Sequence, residues 1–266
     1  PNNISNSTEY DSSPRFSADG NKIVFTRYSI INGGPSYSNT YNKGQTYVMN
    51  KDGTNQFNVS NDNSLDVYPS FSPDGSTIAF GRYTNFGTFN IFKINSDGNN
   101  LEQLTFWSGG GGYDYPIFSP TGTLIISKGF VNGSWNIYEM NSDGNNLINL
   151  SGSGSLRDMF GSYSPDGTKI VFCRRLGSYH QLMLMDSDGS NVVQITNDSN
   201  DHYYPRFTPD GSKIIFTLYN FVNFQIHTIN IDGTDMINLS NNTFNDDVAD
   251  ISPDGGTLIF SSDRTG

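Results

Sequence analysis

Acidic residues recur at one place in this chain. Nine residues before the glycine of each of six similar turns stand Asp11, Asp66, Tyr113, Asp158, His202 and Asp246, with Asp114, Asp201 and Asp247 beside them. Converging carboxylates could hold Ca²⁺, a hard cation that takes oxygen ligands. The competing reading is ion pairing. In an antiparallel hairpin centred on such a turn, the position nine before the glycine faces the position seven after it. Arg27, Arg82 and Arg174 stand there opposite Asp11, Asp66 and Asp158, and Lys128 similarly faces Asp114. Such pairs neutralise the acids and order the loops. The fifth and sixth copies carry Leu218 and Ser262 at the basic position. Asp201, Asp246 and Asp247 therefore have no obvious counter-charge, and they are the candidate metal ligands.

Other chemistry is sparse. His227 fills a slot held by Tyr47, Phe92, Tyr138 and Met183 elsewhere, His180 falls in a loop, and only His202 lies beside the acids. No H-x-H or H-E-x-x-H cluster offers a zinc site, and no G-x-S-x-G elbow offers a nucleophile. Aromatic residues are plentiful, and Trp107, Trp135, Tyr37 and Tyr41 are candidates for contact with a partner or a glycan. Such rings stack on sugars or anchor protein partners. They equally serve to cover the edges of sheets.

The elements that must position these residues are set by the turns: Ser17-Ala18-Asp19-Gly20, Ser72-Pro73-Asp74-Gly75, Ser119-Pro120-Thr121-Gly122, Ser164-Pro165-Asp166-Gly167, Thr208-Pro209-Asp210-Gly211 and Ser252-Pro253-Asp254-Gly255. Their glycines are 55, 47, 45, 44 and 44 residues apart, a period that marks a repeat architecture. In the fifth copy, Tyr204–Phe207, Lys213–Thr217, Gln225–Ile229 and Met236–Ser240 read as four strands. Pro sets the second position of the first turn, and Asp232-Gly233 is a hairpin signal before the fourth strand. Asp52-Gly53, Asp97-Gly98, Asp143-Gly144 and Asp188-Gly189 repeat that signal. Four antiparallel strands per unit, repeated radially, predict an all-β, six-bladed β-propeller, with residues 1–266 as a single domain.

Phrases such as Tyr47-Val48-Met49-Asn50-Lys51-Asp52-Gly53 and Tyr138-Glu139-Met140-Asn141-Ser142-Asp143-Gly144, together with the Ser-Pro-Asp-Gly turns, resemble the TolB-like propeller repeat across essentially the whole chain. The resemblance implies a propeller fold, and a central channel that can take a cation. It implies little about activity, because the family includes binding proteins and regulatory domains of peptidases.

The sixth unit departs from the others. Ile4 stands 16 residues before Gly20, as Val59 stands before Gly75 and Leu239 before Gly255. The N-terminus is thus expected to supply the fourth strand of the last blade. That blade has its first two strands, through Ile251 and Leu258–Phe260, and lacks a third by count. Either the natural chain continues, or a neighbouring chain donates a strand beside Ile4, Leu258 and Phe260, as in strand addition. Head-to-tail donation would give a ring or filament.

Composition narrows the partners. A net charge of −11 disfavours nucleic acid. No apolar run is long enough to span a bilayer. The single Cys173, in the strand-like run Ile170–Cys173, reads as a buried thiol. Abundant Asn, Ser, Gly and Tyr suggest an extracytoplasmic setting. The leading expectation is a non-catalytic propeller for protein interaction or self-assembly, with no required cofactor and Ca²⁺ as the candidate ion. The alternatives are a carbohydrate-binding module and a metal-dependent lactonase- or lyase-type enzyme.

Overall fold

A computed structural model describes residues 2–29, 43–84, 87–152, 154 and 157–264. Every regular element among them is a β-strand. Blade one comprises β1 (Tyr10–Phe16), β2 (Lys22–Tyr28), β3 (Gly44–Asn50) and β4 (Phe57–Asn58). Blade two comprises β5 (Asp66–Phe71), β6 (Thr77–Thr84), β7 (Thr88–Asn95) and β8 (Glu102–Gln103). Blade three comprises β9 (Gly111–Phe118), β10 (Leu124–Val131), β11 (Ser134–Asn141) and β12 (Ile148–Asn149). Blade four comprises β13 (Asp158–Tyr163), β14 (Lys169–Leu176), β15 (Tyr179–Asp186) and β16 (Val193–Gln194). Blade five comprises β17 (Asp201–Phe207), β18 (Lys213–Tyr219), β19 (Phe224–Asn230) and β20 (Ile237–Asn238). β21 (Asp246–Ile251) and β22 (Leu258–Ser262) pair only with each other as blade six.

Each second strand is a β-branched and aromatic run that packs on both faces, so the apolar core lies between blades. Val24, Val48 and Val59 of blade one meet Ile78, Phe80 and Ile94 of blade two. Ile215 and Ile226 of blade five meet Ala249 of blade six. Cys173 is buried in β14, as expected, and burial pushes its thiol pKa up. The two turns of a blade lie side by side on one face. The Lys51 amide donates to the Asn21 carbonyl, as Ser96 does to Ser76 and Ser142 to Thr123.

Every first strand carries a bulge. The ladder slips by one residue at Ser13, Tyr68, Tyr115, Phe160, Tyr204 and Val248, all with φ between 48° and 60°. A bulge re-aims a side chain. Proline follows it at Pro14, Pro69, Pro116 and Pro205, where a missing N–H costs no ladder bond.

The ring closes between blades six and one. The Phe16 amide donates to Asp250 at 2.8 Å, and the Ser13 amide to Ser261 Oγ at 3.2 Å. Residues 2–9 form no strand, unlike the expectation, because no third strand is present among the described residues for them to pair with. Ile4 nevertheless takes the expected place. It packs against Ile23, Phe25, Met49 and Ile259. Its carbonyl oxygen would stand 2.0 Å from a Cβ at Gly53, as the carbonyls of Val59, Leu104, Leu150 and Ile195 crowd Gly98, Gly144, Gly189 and Gly233.

Turn glycines give a test of closure. A Cβ at Gly20 would stand 3.2 Å from Pro253 Cδ, whereas one at Gly75 meets nothing within 4 Å. Ala18 stands where other turns have proline. Both glycines have φ near +70°, so both alanine variants bear left-handed strain of about 1–2 kcal/mol. Gly20→Ala is expected to melt lower than Gly75→Ala by a further small margin, read by circular dichroism.

Candidate functional site

The counted pairing of acids and bases holds. Asp11 faces Arg27, Asp66 faces Arg82, Asp158 faces Arg174 and Asp114 faces Lys128. Three of these are two-pronged guanidinium–carboxylate pairs with N–O distances of 2.7–2.8 Å, and Lys128 Nζ reaches Asp114 at 3.0 Å. Each arginine also lies over an aromatic ring of its own second strand: Arg27 on Phe25, Arg82 on Phe80 and Arg174 on Phe172. Burial pushes the Asp66 and Asp114 carboxyl pKa values up. These groups are structural clasps between the first two strands of blades one to four.

The acids expected to lack a counter-charge are mostly served. Asp246 is bonded by Arg264 Nη2 at 2.6 Å, Ser262 Oγ at 2.7 Å and Asn242 Nδ2 at 2.7 Å. Blade six thus rebuilds the clasp with an arginine two residues beyond the usual position. Asp201 Oδ1 accepts the His180 amide at 2.6 Å and faces His180 Nδ1 at 2.9 Å. His180 sits on β15, not in a loop, and comes from the preceding blade. Burial lowers its imidazole pKa. Asp247 accepts its neighbour's amide, from Val248, and burial raises its pKa to about 6. The three acids are not brought together. Among the described residues no group of three His, Cys, Asp or Glu side chains converges on a metal-sized site.

The axis is filled by aromatic rings that the sequence pattern did not single out. The bulge residues Tyr68, Tyr115, Phe160 and Tyr204 come from blades two to five. Ring centroids lie 5.3 Å apart for Tyr68–Tyr115, 5.1 Å for Tyr115–Phe160, 4.3 Å for Phe160–Tyr204 and 6.3 Å for Tyr68–Tyr204. The last pair joins opposite blades, so the rings meet at the axis. Burial drives the Tyr68 and Tyr204 phenol pKa values well up, so both stay neutral. The proline one residue after Tyr68, Tyr115 and Tyr204 was the available signal.

Of the candidate aromatic contacts, Trp107 is held by its own loop and Trp135 stands on β11 beside β10. Trp107 Nε1 donates to the Gly110 carbonyl at 2.9 Å, and Asn90 Oδ1 accepts the Trp107 amide at 2.8 Å. The adjoining glycine run lets β9 approach β7, since a Cβ at Gly112 would stand 2.0 Å from the Phe89 carbonyl oxygen. Trp135 stacks on Phe130 at 4.8 Å and covers Lys128 Nζ at 4.7 Å. Both tryptophans are half-buried. Tyr37 and Tyr41 lie outside the described residues. Leu258 and Phe260 are half-buried against blade five. No helix among the described residues is long and apolar enough to cross a membrane.

Comparison with known proteins agrees with this architecture. The sequence matches the family model of the TolB beta propeller domain over residues 1–203. No curated protein matches it. The structure is similar to that of a putative TolB from Agrobacterium tumefaciens, with a TM-score of 0.78 at 20% identity, over 97% of this chain and 92% of that one. It is similar to TolB from Acinetobacter baumannii, with a TM-score of 0.69 at 24% identity, over 88% of this chain and 55% of that one. The tricorn protease also shares the fold, with a TM-score of 0.72 at 18% identity, over 96% of this chain and 24% of that one. Likeness at these identities is a likeness of fold.

Proposed function

The chain belongs to the TolB β-propeller family, and from that premise we propose that it is a non-catalytic, extracytoplasmic module of protein interaction whose sixth blade, within residues 1–266, accepts an added third strand, from the protein's own continuation or from another chain. The observation that carries this reading is the outer edge of β22. In the other five blades the second strand pairs with a third, and in blade six no third strand is paired among the described residues. Phe25, Phe80, Phe172 and Phe216 occupy the same place in their blades and are at most 1% exposed, whereas Phe260 is only half-buried.

The complete blades specify what would fit. Third strands carry Gln45, Asn90, Gln181 and Gln225, whose amides bond the loop that leads to the next blade. Two residues on, Tyr47, Phe92 and His227 lie over Phe25, Phe80 and Phe216 at 5.8–6.3 Å. Just past the fourth strand, the hydroxyl of Ser60, Thr105, Ser151, Thr196 or Ser240 accepts the amide of a third-strand residue. Ser5 is the corresponding residue beside Ile4. The slot therefore suits a β-segment with Gln or Asn, then an apolar residue, then a flat ring to cover Phe260. Donation by a neighbouring copy would propagate head to tail.

A peptide with the sequence of β7, Thr88–Asn95, tests this. It is expected to bind residues 1–266 and raise their melting temperature, and the same peptide with alanine in place of Phe92 to bind far more weakly. Light scattering tests self-donation. Mass should rise with concentration, and deleting residues 2–9 should abolish the rise. A chain that stays monomeric at every concentration and ignores the peptide overturns the reading.

A further inference from the structure

On the turn face the six blades surround an axial funnel of about 380 Å³. Its rim is apolar, with Pro73, Pro120, Pro165 and Pro209 from four successive blades. The tier of residues five before each turn glycine is Arg15, Ser70, Ile117, Ser162, Arg206 and Asp250. Ile117 and Asp250 line the funnel. Arg15 and Arg206 are 4% and 7% exposed, and both reach the axial aromatic group. Arg15 lies over the Tyr115 ring at 4.9 Å, and Arg206 Nη2 faces the Tyr115 hydroxyl at 3.4 Å.

These two guanidinium groups are unlike the clasp arginines. No acceptor among the described residues reaches Arg15 Nε, Arg15 Nη2 or Arg206 Nε. The nearest carboxylate, Asp250, is 3.7 Å from Arg206 Nη1 and spends its other oxygen on the Phe16 amide. A buried cation without a matched partner is costly, and guanidinium forks suit carboxylates. Burial, with the neighbouring Arg206, lowers the Arg15 pKa to about 9.

We propose that a carboxylate monoanion enters this funnel and reaches Arg15 and Arg206 beneath its lining, with the apolar part of the ligand against the proline rim. Charge selects the class. Two guanidinium groups and Asp250 leave one positive charge in the tier. A single carboxylate neutralises it, whereas a dianion would overshoot. This site is separate from the sixth-blade slot, and neither depends on the other. The carboxylate can come from a free short-chain acid or from a peptide C-terminus.

Calorimetry on the full chain in low-chloride buffer tests the proposal. The probes are butyrate, an acetylated leucyl dipeptide acid, its C-terminal amide and sulfate. At least one carboxylate is expected to bind, the amide not to bind, and sulfate to bind more weakly. Binding of butyrate marks a free acid as sufficient, and binding of the peptide acid alone marks a chain terminus. Arg15→Gln should weaken binding at least tenfold. Asp250→Asn, which keeps the acceptor for Phe16 and removes the competing charge, should tighten it about tenfold, and this variant decides the matter if Arg15→Gln fails to fold. Absence of carboxylate binding, equal binding of acid and amide, tighter binding of sulfate, or weaker binding by Asp250→Asn would each overturn it.

Discussion

Replacing Asp158 with alanine is expected to destabilise the propeller by about 3 kcal/mol. Asp158 is fully buried, and both of its oxygens bond Arg174. The pair as a whole contributes little net free energy, because two charges had to leave water. Removing one partner is different, since it strands the other charge in a poorly solvated place, at a cost of about 3–5 kcal/mol. The lower end applies because the Arg174 side chain keeps 12% exposure. The corresponding fall in melting temperature is about 6–12 °C for a chain of this size. Asp66→Ala should cost about half as much, because Arg82 would keep Asp62 at 2.7 Å. Thermal and urea melts of the two variants check the order as well as the size. Equal losses would mean that Asp62 contributes nothing.

Asp247→Asn should do the opposite and stabilise the fold at neutral pH. Burial raises the Asp247 pKa from 3.8 to about 6. A carboxyl group whose pKa is raised on folding favours the folded state while protonated. That contribution is complete below about pH 3.8 and is lost as pH climbs through 6. Asparagine imitates the protonated form and can still accept the Val248 amide. The variant should therefore gain about 2–3 kcal/mol at pH 7.5 and nothing at pH 3.5. Melting temperatures at the two pH values give the test. No gain at pH 7.5 would mean that the carboxylate is well solvated.

The fold was legible because its turns are. Glycine at a fixed place in six copies, with proline two residues before it in five of them, defines hairpins, and a hairpin fixes which residues face each other by arithmetic. That is why Asp11, Asp66 and Asp158 met their arginines as counted. Counting within one blade failed where another element intervenes. The partner of Asp201 is His180, on the blade before it, and the partner of Asp246 is Arg264, which folds back from beyond its strand. Trp107 is held by Asn90 and Gly110, and Trp135 packs on Phe130 of the neighbouring strand, contacts that spacing along the chain does not show. Arg15 and Arg206 escaped notice because their significance is negative. They matter through the acceptors they lack, and a linear pattern of residue types does not record missing partners.

The cluster of Tyr68, Tyr115, Phe160 and Tyr204 has a bearing on traffic. Four rings packed together on the axis close the funnel from below and make it a socket instead of a conduit. A guest seated among the prolines therefore never meets the clasp acids beyond those rings. Any signal from a guest to those acids would have to pass as a shift in how the rings pack.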